Sequence, residues 1–179
     1  MERYSAILTR GDFAAVPILL ARALGIAVAP GASVVKLNSP AEAYALGDKS
    51  TGRANTRNFI FYRLGDWTVL GDWNFDFTDD HYAVAGSAVL DTEIISLQGV
   101  EDGGFGFTYA KSGNLVRSIL GGSGTLRQKG APLPEEPSGA PSTWGFEAPL
   151  EIGAAMGAPD VYAEMTVPCY ALELELYEE

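Results

Sequence analysis

In the stretch Trp67-Thr-Val-Leu-Gly-Asp-Trp-Asn-Phe-Asp-Phe77, apolar residues recur at every second position: Trp67, Val69, Trp73, Phe75 and Phe77, with Gly71 keeping the register. The alternate set, Asp66, Thr68, Asp72, Asn74, Asp76 and Thr78, is polar, and only Leu70 breaks it. A period of two belongs to a β-strand, whose successive side chains point to opposite sides of a sheet. Each aromatic ring offers roughly 150–250 Å² of surface, so burying even three at about 25 cal/mol per Å² contributes several kcal/mol. The pattern therefore predicts a strand with rings inward and carboxylates outward.

Strand and helix signals continue on both sides of this stretch. Gly65-Asp66 is a tight turn, and Asn58 to Leu64, rich in aromatic and branched residues, is a strand before it. Downstream, Asp79 or Asp80 caps a helix through about Leu90, and Thr92 to Gly99 reads as a strand. Phe105 to Tyr109 and Leu115 to Leu120 flank Lys111-Ser112-Gly113-Asn114, a hairpin signal. At the end, Tyr170 to Tyr177 alternates Leu172, Leu174 and Leu176 with Glu173 and Glu175. At the start, Arg3 to Leu8 is a short strand, followed by a helix from Asp12 or Pro17 to Leu24 that Gly25 stops. Ser39 and Pro40 open another helix that Gly47 closes, and a further short one runs from Pro149 to Met156. Arg127 to Gly145 holds four prolines and reads as a surface crossing. Together these predict an α+β fold: a mostly antiparallel sheet of about six to eight strands with two to four helices. The chain, 179 residues and 47% hydrophobic, is expected to be one domain over 1–179, with 127–145 as a Pro/Gly-rich surface loop.

One cysteine, Cys169, leaves no internal disulfide, and one histidine, His81, leaves no four-ligand zinc set. Cys169 follows Pro168 in an apolar stretch and reads as a buried, inert thiol. Phe13 to Pro30 faintly resembles a secretory leader, but Glu2, Asp12, Pro17 and Arg22 interrupt the pattern. We read it as mature structure, expect a cytoplasmic protein, and find no apolar run of the roughly 20 residues a membrane helix needs.

Charge is the second informative feature. The formal net charge is -11, yet the first 63 residues carry eight bases and four acids. Leu64 to Ala110 holds nine acids and no base, and Gly130 to the end holds ten acids and no base. Such a balance disfavours nucleic-acid binding, which needs clustered Lys and Arg against phosphates. It favours a basic protein partner, or a second copy whose basic front end (Lys49, Arg53, Arg57) meets the acidic side as a homodimer. The candidate acidic face comprises Asp66, Asp72, Asp76, Asp79, Asp80, Glu101 and Asp102.

No catalytic motif is complete. A calcium loop starting at Asp72 would need Gly and Glu where Phe77 and Ala83 stand. Asp79-Asp80-His81 offers a carboxylate-oriented base without a nucleophile, and reads as a loop or helix-cap element. Gly121-Gly122-Ser123-Gly124-Thr125 lacks the final glycine of a nucleophile elbow and reads as a turn or bulge at a strand end. Neither glycine-rich phosphate-binding pattern occurs. We expect no cofactor and no metal. The alternative enzyme reading is a glycosidase-like hydrolase pairing Asp72 or Asp76 with Glu93, which requires carboxylates about 5–9.5 Å apart.

Four motifs between Trp67 and Glu136 follow one another in order: the Gly-Asp-Trp strand opening at Trp67, Phe105-x-Phe107-x-Tyr109, Gly113-Asn-Leu-Val-Arg117, and Gly130 with Leu133-Pro-Glu-Glu136. In this order the chain resembles small bacterial immunity proteins of polymorphic toxin systems, over under half its length. The resemblance implies a non-catalytic protein that occludes a cognate toxin or effector, and it carries over no active-site residue.

Overall fold

The computed structural model describes residues 3–28, 32–40, 42, 56–72, 80–101, 103–122, 124–161 and 167–175. In chain order these form β1 (Arg3–Arg10), α1 (Pro17–Ala23), β2 (Ser33–Leu37), β3 (Thr56–Leu64), β4 (Trp67–Asp72), α2 (Asp80–Leu90) and β5 (Glu93–Val100). There follow β6 (Gly104–Lys111), β7 (Asn114–Gly122), β8 (Thr125–Lys129), a single 3₁₀ turn at Pro141–Thr143, α3 (Ala148–Ala155) and β9 (Cys169–Glu175). All nine strands pair antiparallel in one sheet, in the order β2-β9-β3-β4-β1-β5-β6-β7-β8. The α+β expectation of a mostly antiparallel sheet therefore holds for this single domain, with nine strands among the described residues. The two unexpected strands are β2 and β8.

Local sequence accounts for most boundaries. Pro17, not Asp12, opens α1, and Gly25 with φ +82° follows its last turn. Ser112 (φ +46°) and Gly113 (φ +79°) make the β6–β7 connection a two-residue turn with both φ positive, the type whose twist suits a hairpin. Gly122 (φ +140°) and Gly124 (φ +77°) serve the β7–β8 turn, as the Gly121–Thr125 reading proposed. The amide of Glu42 donates to Ser39 Oγ at 3.3 Å, as a helix cap would; the rest of the predicted 39–47 helix lies outside the described residues.

The sheet is covered on both faces. On one, the helix-pair face, α1 and α2 bury Ile7, Leu20, Leu24, Phe59, Phe61, Leu70, Ile94 and Leu172. On the other, the cover face, α3 and the 130–161 segment bury Tyr4, Leu8, Ile60, Tyr62, Trp67, Val69, Ile95, Leu97, Phe107 and Ile152. Within the Phe13–Pro30 stretch, Leu20 of α1 and Leu24 just after it are fully buried against the sheet. Among the described residues no helix is long and apolar enough to cross a membrane.

This double cover corrects the outward-facing acidic strand. Trp67 and Val69 point inward as expected, but so do Thr68 and Leu70, both 0% exposed. Thr68 Oγ1 donates to Gly11 O at 2.7 Å and accepts from the Phe13 amide at 2.9 Å, which ties β4 to the turn leading into α1. The alternate face of β4 is thus a second core rather than solvated ground. β4 ends at Asp72, and the predicted continuation through Phe77 lies outside the described residues.

Candidate functional site

The predicted acidic residues do not gather in one place. Asp66 is exposed in the β3–β4 turn, beside Trp67, which pairs with Arg10 at one end of β1. Glu101 is exposed just beyond Val100, which pairs with Arg3 at the opposite end of β1. Asp80 opens α2 on the helix-pair face and turns inward to the sheet. Asp72 ends β4, with its side chain outside the described residues, and Asp76, Asp79 and Asp102 lie outside them altogether.

Asp80 is committed within the molecule. Its Oδ1 accepts from Thr108 Oγ1 at 3.2 Å and from Ser118 Oγ, and its Oδ2 binds Lys129 Nζ at 2.5 Å. Burial alone would raise its pKa, but these hydrogen bonds and the lysine charge outweigh it and hold the carboxyl below its ordinary value. His81, the next residue, is exposed with its ring 3.8 Å from that of Tyr82, while Asp80 turns to the sheet, so these two do not converge on a reacting centre; Asp79 lies outside the described residues.

Glu93 is committed as well. It pairs with Arg10 and accepts from Tyr109 OH at 3.0 Å. Burial would raise its pKa, yet Arg10 and Tyr109 hold it down, while burial and the Glu93 contact push the Tyr109 phenol up to about 12. Arg10 in turn lies 4.3 Å over the Trp67 ring, whose Nε1 donates to Gly157 O at 2.9 Å. Of the two hydrolase pairings, that of Glu93 with Asp72 fails on this geometry. Glu93 and Asp72 sit two strands apart and at opposite ends of β1, so at about 3.3 Å per residue and 4.8 Å per strand their Cα atoms are separated by roughly 19 Å. That exceeds what two carboxylate side chains close to a catalytic spacing. Asp76 lies outside the described residues.

The residues that carried the family resemblance do converge, on structure rather than chemistry. Arg117, 1% exposed, binds both oxygens of Glu136 at 2.7 and 3.0 Å. Its remaining N–H groups donate to Gln128 Oε1 at 2.9 Å, Gly130 O at 3.0 Å and Lys129 O at 3.4 Å. Glu136 Oε1 also accepts the Leu133 amide at 2.9 Å. Gly130 sits at φ +80°, and a Cβ there would stand 2.0 Å from Val116 O. So Arg117, Gly130, Leu133 and Glu136 form one staple, built around a buried ion pair, that fastens the 130–136 crossing to β7. Cys169, 0% exposed, has its thiol pushed up to about 11 by burial and then by the Glu42 charge, as an inert core cysteine would.

What remains at the surface is the cover. From Gly130 onward the chain supplies no base, and α3 presents Glu147 and Glu151 exposed, with Asp160 exposed after it. Among the described residues the side chains of Glu147 and Glu151 take part in no ion pair or hydrogen bond. Asp66 adjoins one end of this layer through Trp67 and Gly157. Glu101 shares a hollow with Ser142, Trp144 and Phe146 at the other end. By contrast, four of the described bases are spent internally: Arg10 on Glu93, Arg63 on Asp12, Arg117 on Glu136 and Lys129 on Asp80. Sequence reading missed Glu147 and Glu151, although the base-free run after Gly130 was the signal. No family model, curated protein or solved structure matches the chain.

Proposed function

We propose that the protein is a non-catalytic binding module whose acidic cover docks a basic protein partner, in the manner of an immunity protein that occludes a toxin or effector. The observation that carries this reading is the cover itself. A layer with no lysine or arginine of its own presents Glu147, Glu151 and Asp160 outward, flanked by Asp66 and Glu101. Long-range attraction between such a layer and a cationic surface raises encounter rates well above a neutral value, and a few buried contacts then set the lifetime. The resemblance supplies the class of partner; the charge arrangement supplies the means of meeting it.

The test is affinity capture from the cells that make the protein, with two variants of equal charge change. Glu147→Gln with Glu151→Gln neutralises the cover, whereas Asp12→Asn with Asp91→Asn neutralises two exposed acids outside it. The proposal expects a basic protein held by the wild type and by the second variant and weakened in the first. Equal capture by both variants, or a captured partner without a basic surface, contradicts it.

A further inference from the structure

On the helix-pair face, the cross-strand registers of β5 to β8 define three successive rows. The first is Ser96, Thr108, Ser118 and Lys129; the second is Gln98, Gly106, Leu120 and Arg127; the third begins at Gly104, Gly122 and Thr125. Glycine stands at Gly104, Gly106 and Gly122, so no side chain rises from these three positions. Asp80, at the start of α2, closes the first row only. A hollow of about 300 Å³ results, lined by Asp80, Gln98, Thr108, Ser118, Arg127 and Lys129. It adjoins a second, apolar hollow of about 180 Å³ over Val100, Gly104 and Gly121, the two sharing Gln98 and Leu120.

Two groups in the larger hollow have no task in the fold. Gln98 is 8% exposed, and among the described residues neither end of its side-chain amide has a hydrogen-bond partner. Gly106 keeps it in place, because a Cβ there would stand 2.4 Å from Gln98 Nε2. Among the described residues the Arg127 side chain takes part in no ion pair or hydrogen bond, although the protein carries 23 acids against 12 bases. Since Asp80 is matched by Lys129, the lining has one uncompensated positive charge beside an unpaired amide donor. A volume of this size lies at the lower end of small-ligand sites, which combine apolar walls with a few placed polar groups.

We propose that this trough binds a small organic anion consisting of one carboxylate on a short apolar body. Arg127 and the Gln98 amide hold the carboxylate, and the hollow over Val100, Gly104 and Leu120 takes the apolar portion. The site lies on the helix-pair face and is independent of the acidic cover, so either can fail without the other.

The test is NMR titration of ¹⁵N-labelled protein with sodium hexanoate, and separately with inorganic phosphate, at constant ionic strength. Hexanoate is expected to shift the Gln98 side-chain amide and Arg127 Nε signals saturably, with an affinity on the order of millimolar. Arg127→Gln, at an exposed residue without partners, leaves the fold intact and is expected to weaken that binding about tenfold, as loss of a charge-assisted contact does. Gln98→Glu, which sets a carboxylate against the ligand, is expected to abolish it. Three outcomes overturn the proposal: no saturable shift at either signal into the tens of millimolar, unchanged affinity in Arg127→Gln, or saturation by phosphate but not by hexanoate.

Discussion

Two acid–base pairs grip the β7–β8 hairpin, one on each face, and their surroundings differ. Arg117 and Glu136 on the cover face have side chains 2% and 7% exposed, while Lys129 and Asp80 on the helix-pair face are 66% and 15% exposed. Around Arg117 every guanidinium N–H finds an acceptor, and the crossing segment seals the pair from water. Around Lys129 the helix contributes only its first residue to the lining, and the face beyond stays hollow. The pairing chemistry is similar, but one instance closes a face and the other leaves a trough beside it. What separates them is how many neutral acceptors surround the cation, and whether chain passes over the top.

This contrast is sharpest in its energetics. Glu136→Ala leaves a buried guanidinium unpaired and is expected to cost about 3–5 kcal/mol, whereas Lys129→Ala removes an exposed partner and is expected to cost under about 1 kcal/mol. Chemical denaturation of both variants measures the difference, and equal losses would break the comparison. Next in size is Gly130→Ala, which sets a Cβ against Val116 O at a positive φ. A loss of roughly 2 kcal/mol, with the hairpin strained rather than the helices, is the expected result.

Asp80→Asn is expected to cost about 1–2 kcal/mol at neutral pH, since three donors lose a charged acceptor. Its pH dependence follows from the direction of the shift. A carboxyl whose folded pKa is lowered contributes stability above its unfolded value of about 4, and that contribution disappears as pH falls through the lower folded value. Wild type and Asp80→Asn should therefore converge in thermal stability as the pH is taken below about 4. A gap that stays constant over that range would remove Asp80 from the acid-labile groups. Smallest of all is the stability effect of Glu147→Gln with Glu151→Gln, expected within about 0.5 kcal/mol because neither side chain has a partner to lose.

Much of the sheet could be read before the structure, because period-two alternation is a local signal. Trp67 and Val69 show it in β4, and Ser112-Gly113 marks a two-residue hairpin turn. The other face of β4 could not be read this way, since its cover comes from α1 and α2, distant in sequence; Leu70, the one break in the alternation, was its trace. β2 escaped notice because Val34 and Val35 are both exposed on an edge, and β8 because Thr-Leu-Arg-Gln-Lys is polar. Asp66, Asp80 and Glu101 were grouped by nearness in the chain, but the sheet sends Asp66 and Glu101 to opposite ends of β1 and Asp80 to the helix-pair face. The base-free run after Gly130 was legible, whereas its placement as a continuous cover depends on the Arg117 staple, whose residues mean little until folded together.

The most direct measurement is the association rate of the protein with its captured partner as a function of salt, for wild type and for Glu147→Gln with Glu151→Gln. An acidic cover that steers docking predicts a wild-type rate that falls as salt rises, a variant roughly 3–10-fold slower at low salt, and convergence of the two at high salt. Identical rates and identical salt slopes for the two proteins would contradict it.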